Sequence, residues 1–150
     1  MSITIKKTNW NLPRSGFRNI TIIPASYSAK DENEYYHDTT NTFYKFAKDK
    51  IDIDLYSCPD VCLVQRSIDW VAPVIYIGRL LFEISLTELG DVIFEYLKSK
   101  YLGKETTAKL EIITESSEKG KFMSIKYEGP SSEVKTALSK IHTALQSGEE

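Results

Sequence analysis

A chain of 150 residues with 41% hydrophobic and 27% charged side chains has the size and make-up of one globular domain, which excludes a disordered polypeptide. Its net charge of −2 excludes an overall positive field of the kind that holds polyanions. No run of about 18 apolar residues occurs that could span a bilayer, because Val71 to Ile84 is broken by Pro73, Gly78, Arg79 and Glu83.

Residues 1–20 show neither an apolar signal core nor a small-residue cleavage site, and Cys58 and Cys62 do not make a disulfide framework, so a cytoplasmic chain with no membrane anchor is expected. In chain order, Ile3 and Ile5, then Ile20, Ile22 and Ile23, lie in short β-branched runs parted by a turn region from Pro13 to Gly16. Two N-terminal strands are predicted. The stretch from Ser26 to Asn41 is polar and acidic with no period, after which Phe43, Phe46 and Ala47 predict a short helix ending near Lys50. Ile51, Ile53 and Leu55 alternate with Asp52, Asp54 and Tyr56, as in a strand with one buried face. Cys58 to Asp60 reads as a turn, Val61 to Gln65 as extended, and the nearly all-apolar Trp70 to Ile77 as a strand covered on both sides. Gly78-Arg79 between Val74–Ile77 and Leu80–Glu83 suits a type II′ turn and predicts a hairpin at the centre of the sheet.

The second half is more regular. Ser85 to Glu88 has the spacing of a capping box, Leu86, Leu89, Ile93, Phe94, Tyr96, Leu97 and Tyr101 recur at helical spacing, and Gly103 falls where a left-handed cap closes a helix. Leu110 and Ile112 alternate with Lys109 and Glu111; Met123, Ile125 and Tyr127 alternate with Ser124, Lys126 and Glu128. The polar Glu115 to Gly120 segment joins them as a hairpin. Pro130 to Glu133 opens a last helix with Val134, Ala137, Leu138, Ile141 and Leu145 on one face. Together these predict a single α+β domain over residues 1–150, with a mainly antiparallel sheet, two C-terminal-half helices packed on one face and a short helix near residues 40–50. The order of elements from Ser85 to Leu145 loosely resembles small accessory domains that accompany bacterial conflict effectors, and the resemblance transfers no residue role.

Each cluster that could carry chemistry has a plainer explanation. Cys58 and Cys62 could grip a soft metal, but a zinc site takes four ligands, only His37 and His142 could complete it, and two small residues flanking a turn give the same letters. Asp52 and Asp54 on a strand would share one face about 7 Å apart, within reach of a magnesium-bridged phosphate. A metal-dependent phosphoryl- or nucleotidyl-transfer enzyme is therefore the alternative reading, although no glycine-rich phosphate loop precedes Ile51 and a solvated strand face looks identical. Neither histidine lies beside a nucleophile, and the chain has no dinucleotide fingerprint, P-loop, nucleophile elbow or zincin motif. No catalytic residue, metal or cofactor is expected.

Residues 30–60 carry a net charge of −4, and five aromatics, Tyr35, Tyr36, Phe43, Tyr44 and Phe46, fall within twelve residues of that segment. Tyrosine gives large amphipathic contact area while acids steer a basic partner, so Tyr35, Tyr36, Tyr44, Glu32 and Glu34 are the expected binding residues. Protein is the expected partner and nucleic acid is not, since a strand of phosphates needs a positive groove. The function this favours is a non-enzymatic protein-binding or accessory module, such as an immunity-type inhibitor of a basic partner.

Overall fold

Successive residues of a strand face opposite sides of its sheet, and the strands of this chain use that period to fill two separate cores. The computed structural model describes residues 2–8, 20–26, 35–57, 62–63, 70–78, 82–115 and 122–148. Ile22, Ile75, Ile77, Leu110, Ile112 and Ile125 enter the larger core, whereas their neighbours Ile23, Val74, Tyr76 and Ile113 enter a smaller one on the opposite face. The apolar run expected to be covered on both sides is so covered: Trp70, Val71, Ala72, Val74, Ile75, Tyr76 and Ile77 are each below 8% exposure.

The fold is α+β. A mixed seven-stranded sheet runs in the order β1 (Ser2–Thr8), β9 (Phe122–Pro130), β8 (Thr107–Glu115), β7 (Val74–Ile77), β2 (Ile20–Ile23) and β4 (Asp54–Leu55), with β6 (Trp70–Val71) pairing β8 beside β7. Its longest ladders, β8 with β9 and β1 with β9, are antiparallel as expected, while β7 and β2 each also take a parallel neighbour, β8 and β4. A separate parallel pair joins β3 (Tyr36–His37) to β5 (Cys62–Leu63). Along β8, Trp70 faces Ala108 but Ile75 faces Ile112, so five steps of one strand match four of the other. The extra residue is a bulge at Ala72-Pro73, where proline lacks the amide that a regular ladder would use and Ala72 N–H alone reaches Lys109 O, at 2.8 Å.

Helices among the described residues include α1 (Thr40–Ala47), α2 (Phe82–Lys100) and α3 (Val134–Gly148), the last entered through a 3-10 turn at Ser131–Glu133. Leu86, Leu89, Ile93 and Leu97 of α2 and Val134, Ala137, Leu138 and Ile141 of α3 bury their apolar stripes in the larger core. Where the two helices meet, a Cβ on Gly90 would sit 3.2 Å from Leu138 Cδ1, so glycine permits this close approach. The helix expected near residues 40–50 is α1, which buries Thr40, Phe43 and Ala47 at helical spacing.

Three expectations are corrected. The second strand of the expected hairpin is not formed at Phe82 and Glu83, which lie in α2, and β7 pairs with β2 and β8 instead; Arg79, Leu80 and Leu81 lie outside the described residues. Short apolar runs carry no period of their own, and Phe82, Leu86, Leu89 and Ile93 extend this one as a helical stripe. In consequence Ser85 is no N-cap but a buried residue inside α2, one turn from its start. The strand expected over residues 51–55 keeps ladder pairing only at Asp54 and Leu55. The far end of α2 closes as expected, with Gly103 at φ 78° donating its N–H to Lys98 O at 2.9 Å.

Tyr127 lies in the larger core at 1% exposure and its hydroxyl donates to Pro130 O at 2.8 Å. Burial, reinforced by Glu133 and Glu105, pushes its hydroxyl from the ordinary 10.0 up to about 12. An unfolded chain therefore releases this proton first. The contribution is intact below about pH 10 and is lost as the pH rises from about 10 to about 12. Tyr127→Phe should make the fall of stability over that interval shallower in denaturant titrations; identical slopes for the two proteins would contradict the assignment.

Candidate functional site

Of the expected binding residues, the three described ones, Tyr35, Tyr36 and Tyr44, do not share one surface. Tyr35 and Tyr36 are adjacent in an extended segment, so their rings enter opposite cores: Tyr35 packs on the smaller and Tyr36, 1% exposed, lies inside the larger. Tyr36 Oη accepts Ser57 N–H at 3.0 Å and shares a hydrogen bond with Ser57 Oγ at 2.9 Å. That ring is committed to packing. Tyr44 alone is half-exposed on a helix, on α1, while Glu32 and Glu34 lie outside the described residues.

A ridge of rings and lysines forms where the C-terminal ends of α1 and α2 meet, with Tyr44 on the other flank of α1, about 160° around the helix from Phe46. Phe43 and Phe46 of α1 reach Tyr96 of α2 with ring centroids at 5.3 and 5.2 Å, both edge-on, and Trp70 lies beneath at 5.8 Å from Phe43 and 5.6 Å from Tyr96. Lysine ammoniums cover the outer rings: Lys48 lies 6.0 Å from the Tyr44 centroid, Lys50 4.8 Å from Phe46, and Lys100 5.7 Å from Tyr96 and 5.8 Å from Tyr101. Lys50 also stands 3.9 Å from Glu95, whereas among the described residues neither Lys48 nor Lys100 meets a carboxylate. Burial, and Tyr101 beside it, pushes the Tyr96 hydroxyl above its ordinary value. Its Oη and Trp70 Nε1 are buried without hydrogen-bond partners among the described residues.

A signal for this ridge was present in the sequence. Phe46 and Lys50, and Tyr96 and Lys100, each stand four apart, the spacing that brings a lysine over a ring one helical turn earlier. Two helix C-termini also attract cations to their free carbonyls, and here the two ends converge.

No protein-family model, curated protein or solved structure matches this chain. The site is read from its chemistry alone.

The other candidate residues fall elsewhere. Asp52 is exposed and precedes β4, while Asp54 is half-buried at its start, so regular strand pairing does not set the two carboxylates side by side. Cys58 lies outside the described residues; Cys62 pairs through its backbone with Tyr36. Among the described residues no three metal-ligating side chains of the His, Cys, Asp and Glu types gather. His37 on β3 has a buried Nδ1 without a partner; burial holds its pKa below the ordinary value, with Lys109 acting the same way and Glu111 and Asp38 opposing. Near it the β8 carboxylates are already engaged, Glu111 accepting Ser124 Oγ at 3.0 Å and Glu115 accepting Tyr76 Oη at 3.1 Å. No described helix is long and apolar enough to cross a membrane.

Proposed function

We propose that the chain is a non-enzymatic protein-binding or accessory module that docks through the α1/α2 ridge. The observation that supports this is the pair of half-buried rings, Phe46 and Tyr101, each with a lysine over its face, beside the buried Phe43, Trp70 and Tyr96 cluster that Phe46 meets at Tyr96. A rigid aromatic centre with a charged rim is how a docking surface concentrates affinity: the rings lose little freedom on binding and the rim excludes mismatched partners. Phosphoryl transfer through Asp52 and Asp54 gains no comparable geometric support.

Immobilised protein offered an extract of its native host should retain a partner that the Phe46→Ala/Tyr101→Ala variant recovers about tenfold less well, because outer rings carry binding energy out of proportion to their number. Both rings are only half-buried, so the variant remains folded and its melting curve serves as the control. Equal recovery by the two proteins would refute the assignment of this surface.

A further inference from the structure

We infer that the cleft at the C-terminal end of α2 is a binding site, independent of the docking ridge, for a small monocarboxylate that carries one apolar group. A cavity of about 280 Å³ lies there between α2, the segment from Gly103 to Glu105 that follows it, and the 3-10 turn before α3. Phe94 and Leu97 give it an apolar lining, Lys98 and Lys104 bring two ammoniums, and Ser131 brings a hydroxyl. All of these side chains border the same cavity.

Its walls are fixed before any ligand arrives. On the α2 side, Gly103 N–H donates to Lys98 O and Lys104 N–H to Tyr101 O, each at 2.9 Å. On the other side, Ser131 N–H donates to Thr106 O at 2.7 Å, Ser131 Oγ accepts Thr106 N–H at 3.0 Å, and Tyr127 Oη donates to Pro130 O at 2.8 Å. A site formed in advance loses little freedom on binding.

The class of ligand follows from what these bonds leave unused. Lys98 and Lys104 meet no carboxylate among the described residues. They are not needed as helix caps either, because the carbonyls of Leu97, Lys98, Ser99 and Tyr101 already accept backbone N–H groups. Ser131 is 8% exposed, and among the described residues its hydroxyl proton has no acceptor. Two cations and a buried donor beside Phe94 and Leu97 suit one carboxylate joined to one ring or branched chain. Glu105, which accepts Ser132 Oγ, keeps a negative charge in the same wall, so a dianion such as phosphate gains less than a monoanion. The volume is at the small end of the roughly 300–1,000 Å³ of ligand sites and suits a single group rather than a polymer. A free acid and the last residue of a peptide share this chemistry.

The test is an NMR titration of the backbone amides of the full chain with five probes: phenylacetate, N-acetylphenylalanine, acetate, benzyl alcohol and benzylamine. Phenylacetate or N-acetylphenylalanine should shift the amides of residues 94–98, 103–105 and 131–132 saturably, and the tighter of the two assigns the source as free acid or peptide end. Acetate, benzyl alcohol and benzylamine should each bind at least about tenfold more weakly, since each lacks either the apolar group or the negative charge. Lys98→Gln/Lys104→Gln should weaken the carboxylate about fivefold, as expected for two exposed ion pairs, with an unchanged melting temperature showing that the fold is kept. No saturable shift at these residues with either aromatic acid overturns the inference. So does acetate, benzyl alcohol or benzylamine binding as well as the aromatic acids, or binding that ignores the two substitutions. None of these outcomes bears on the ridge, whose own variant, Phe46→Ala/Tyr101→Ala, leaves Lys98 and Lys104 in place.

Discussion

Replacing Trp70 with alanine should lower the free energy of unfolding by about 3–5 kcal/mol, a large part of the roughly 5–15 kcal/mol that a domain has in total. The side chain is 1% exposed and is held by Phe43 from α1 and Tyr96 from α2, while its backbone pairs with Ala108 of β8. Its removal leaves a cavity at the junction of three elements, none of which can close on it without dragging the other two. Trp70→Phe is informative beside it: it removes the buried Nε1–H that has no partner, so part of the lost volume is offset by a relieved polar group. The phenylalanine variant should therefore lose less than half as much. Urea titrations resolve the two, and a Trp70→Ala loss below about 1 kcal/mol would show that this cluster does not support the larger core.

Tyr36→Ala should be comparably damaging, at about 3–5 kcal/mol, since it empties a site that is 1% exposed in the same core. Tyr36→Phe keeps the volume and deletes only the oxygen that accepts Ser57 N–H at 3.0 Å, for a loss of about 0.5–1.5 kcal/mol. Neither change acts on a binding surface. If Tyr36→Ala instead kept wild-type stability and shortened the lifetime of a complex, Tyr36 would be an exposed anchor, and its placement in the core would be wrong.

The contrast between Tyr36 and Tyr44 shows where sequence reading succeeds and where it stops. Elements with a strong period were legible: the alternations in β8 and β9 predict their hairpin, and the stripe from Leu86 to Leu97 predicts α2. Composition alone could not divide Tyr35 and Tyr36 between two cores, because that depends on β3 passing between them with its side chains alternating. The start of α2 was hidden for a related reason. The run before Phe82 is too short to show a period, and glycine followed by a polar residue has the letters of a hairpin turn, whereas Phe82 already lies in the helix. Residues 51–55 alternate as a strand should, yet ladder pairing needs a neighbour, and β2 supplies one only at Asp54 and Leu55. The ridge itself was legible and unread. Charges summed along the chain make residues 30–60 acidic, whereas charges taken around α1 and α2 gather Lys50 and Lys100 over rings four residues earlier.

The central claim, that the converging ends of α1 and α2 form the docking surface, is tested most directly by hydrogen exchange on the complex with the captured partner. The account predicts slowed exchange at residues 44–50 and 95–104, with the outer sheet face of β8 and β9 unchanged. Protection confined to that sheet face, around Glu111 and Ser124, with residues 44–50 and 95–104 exchanging as in the free protein, would contradict it.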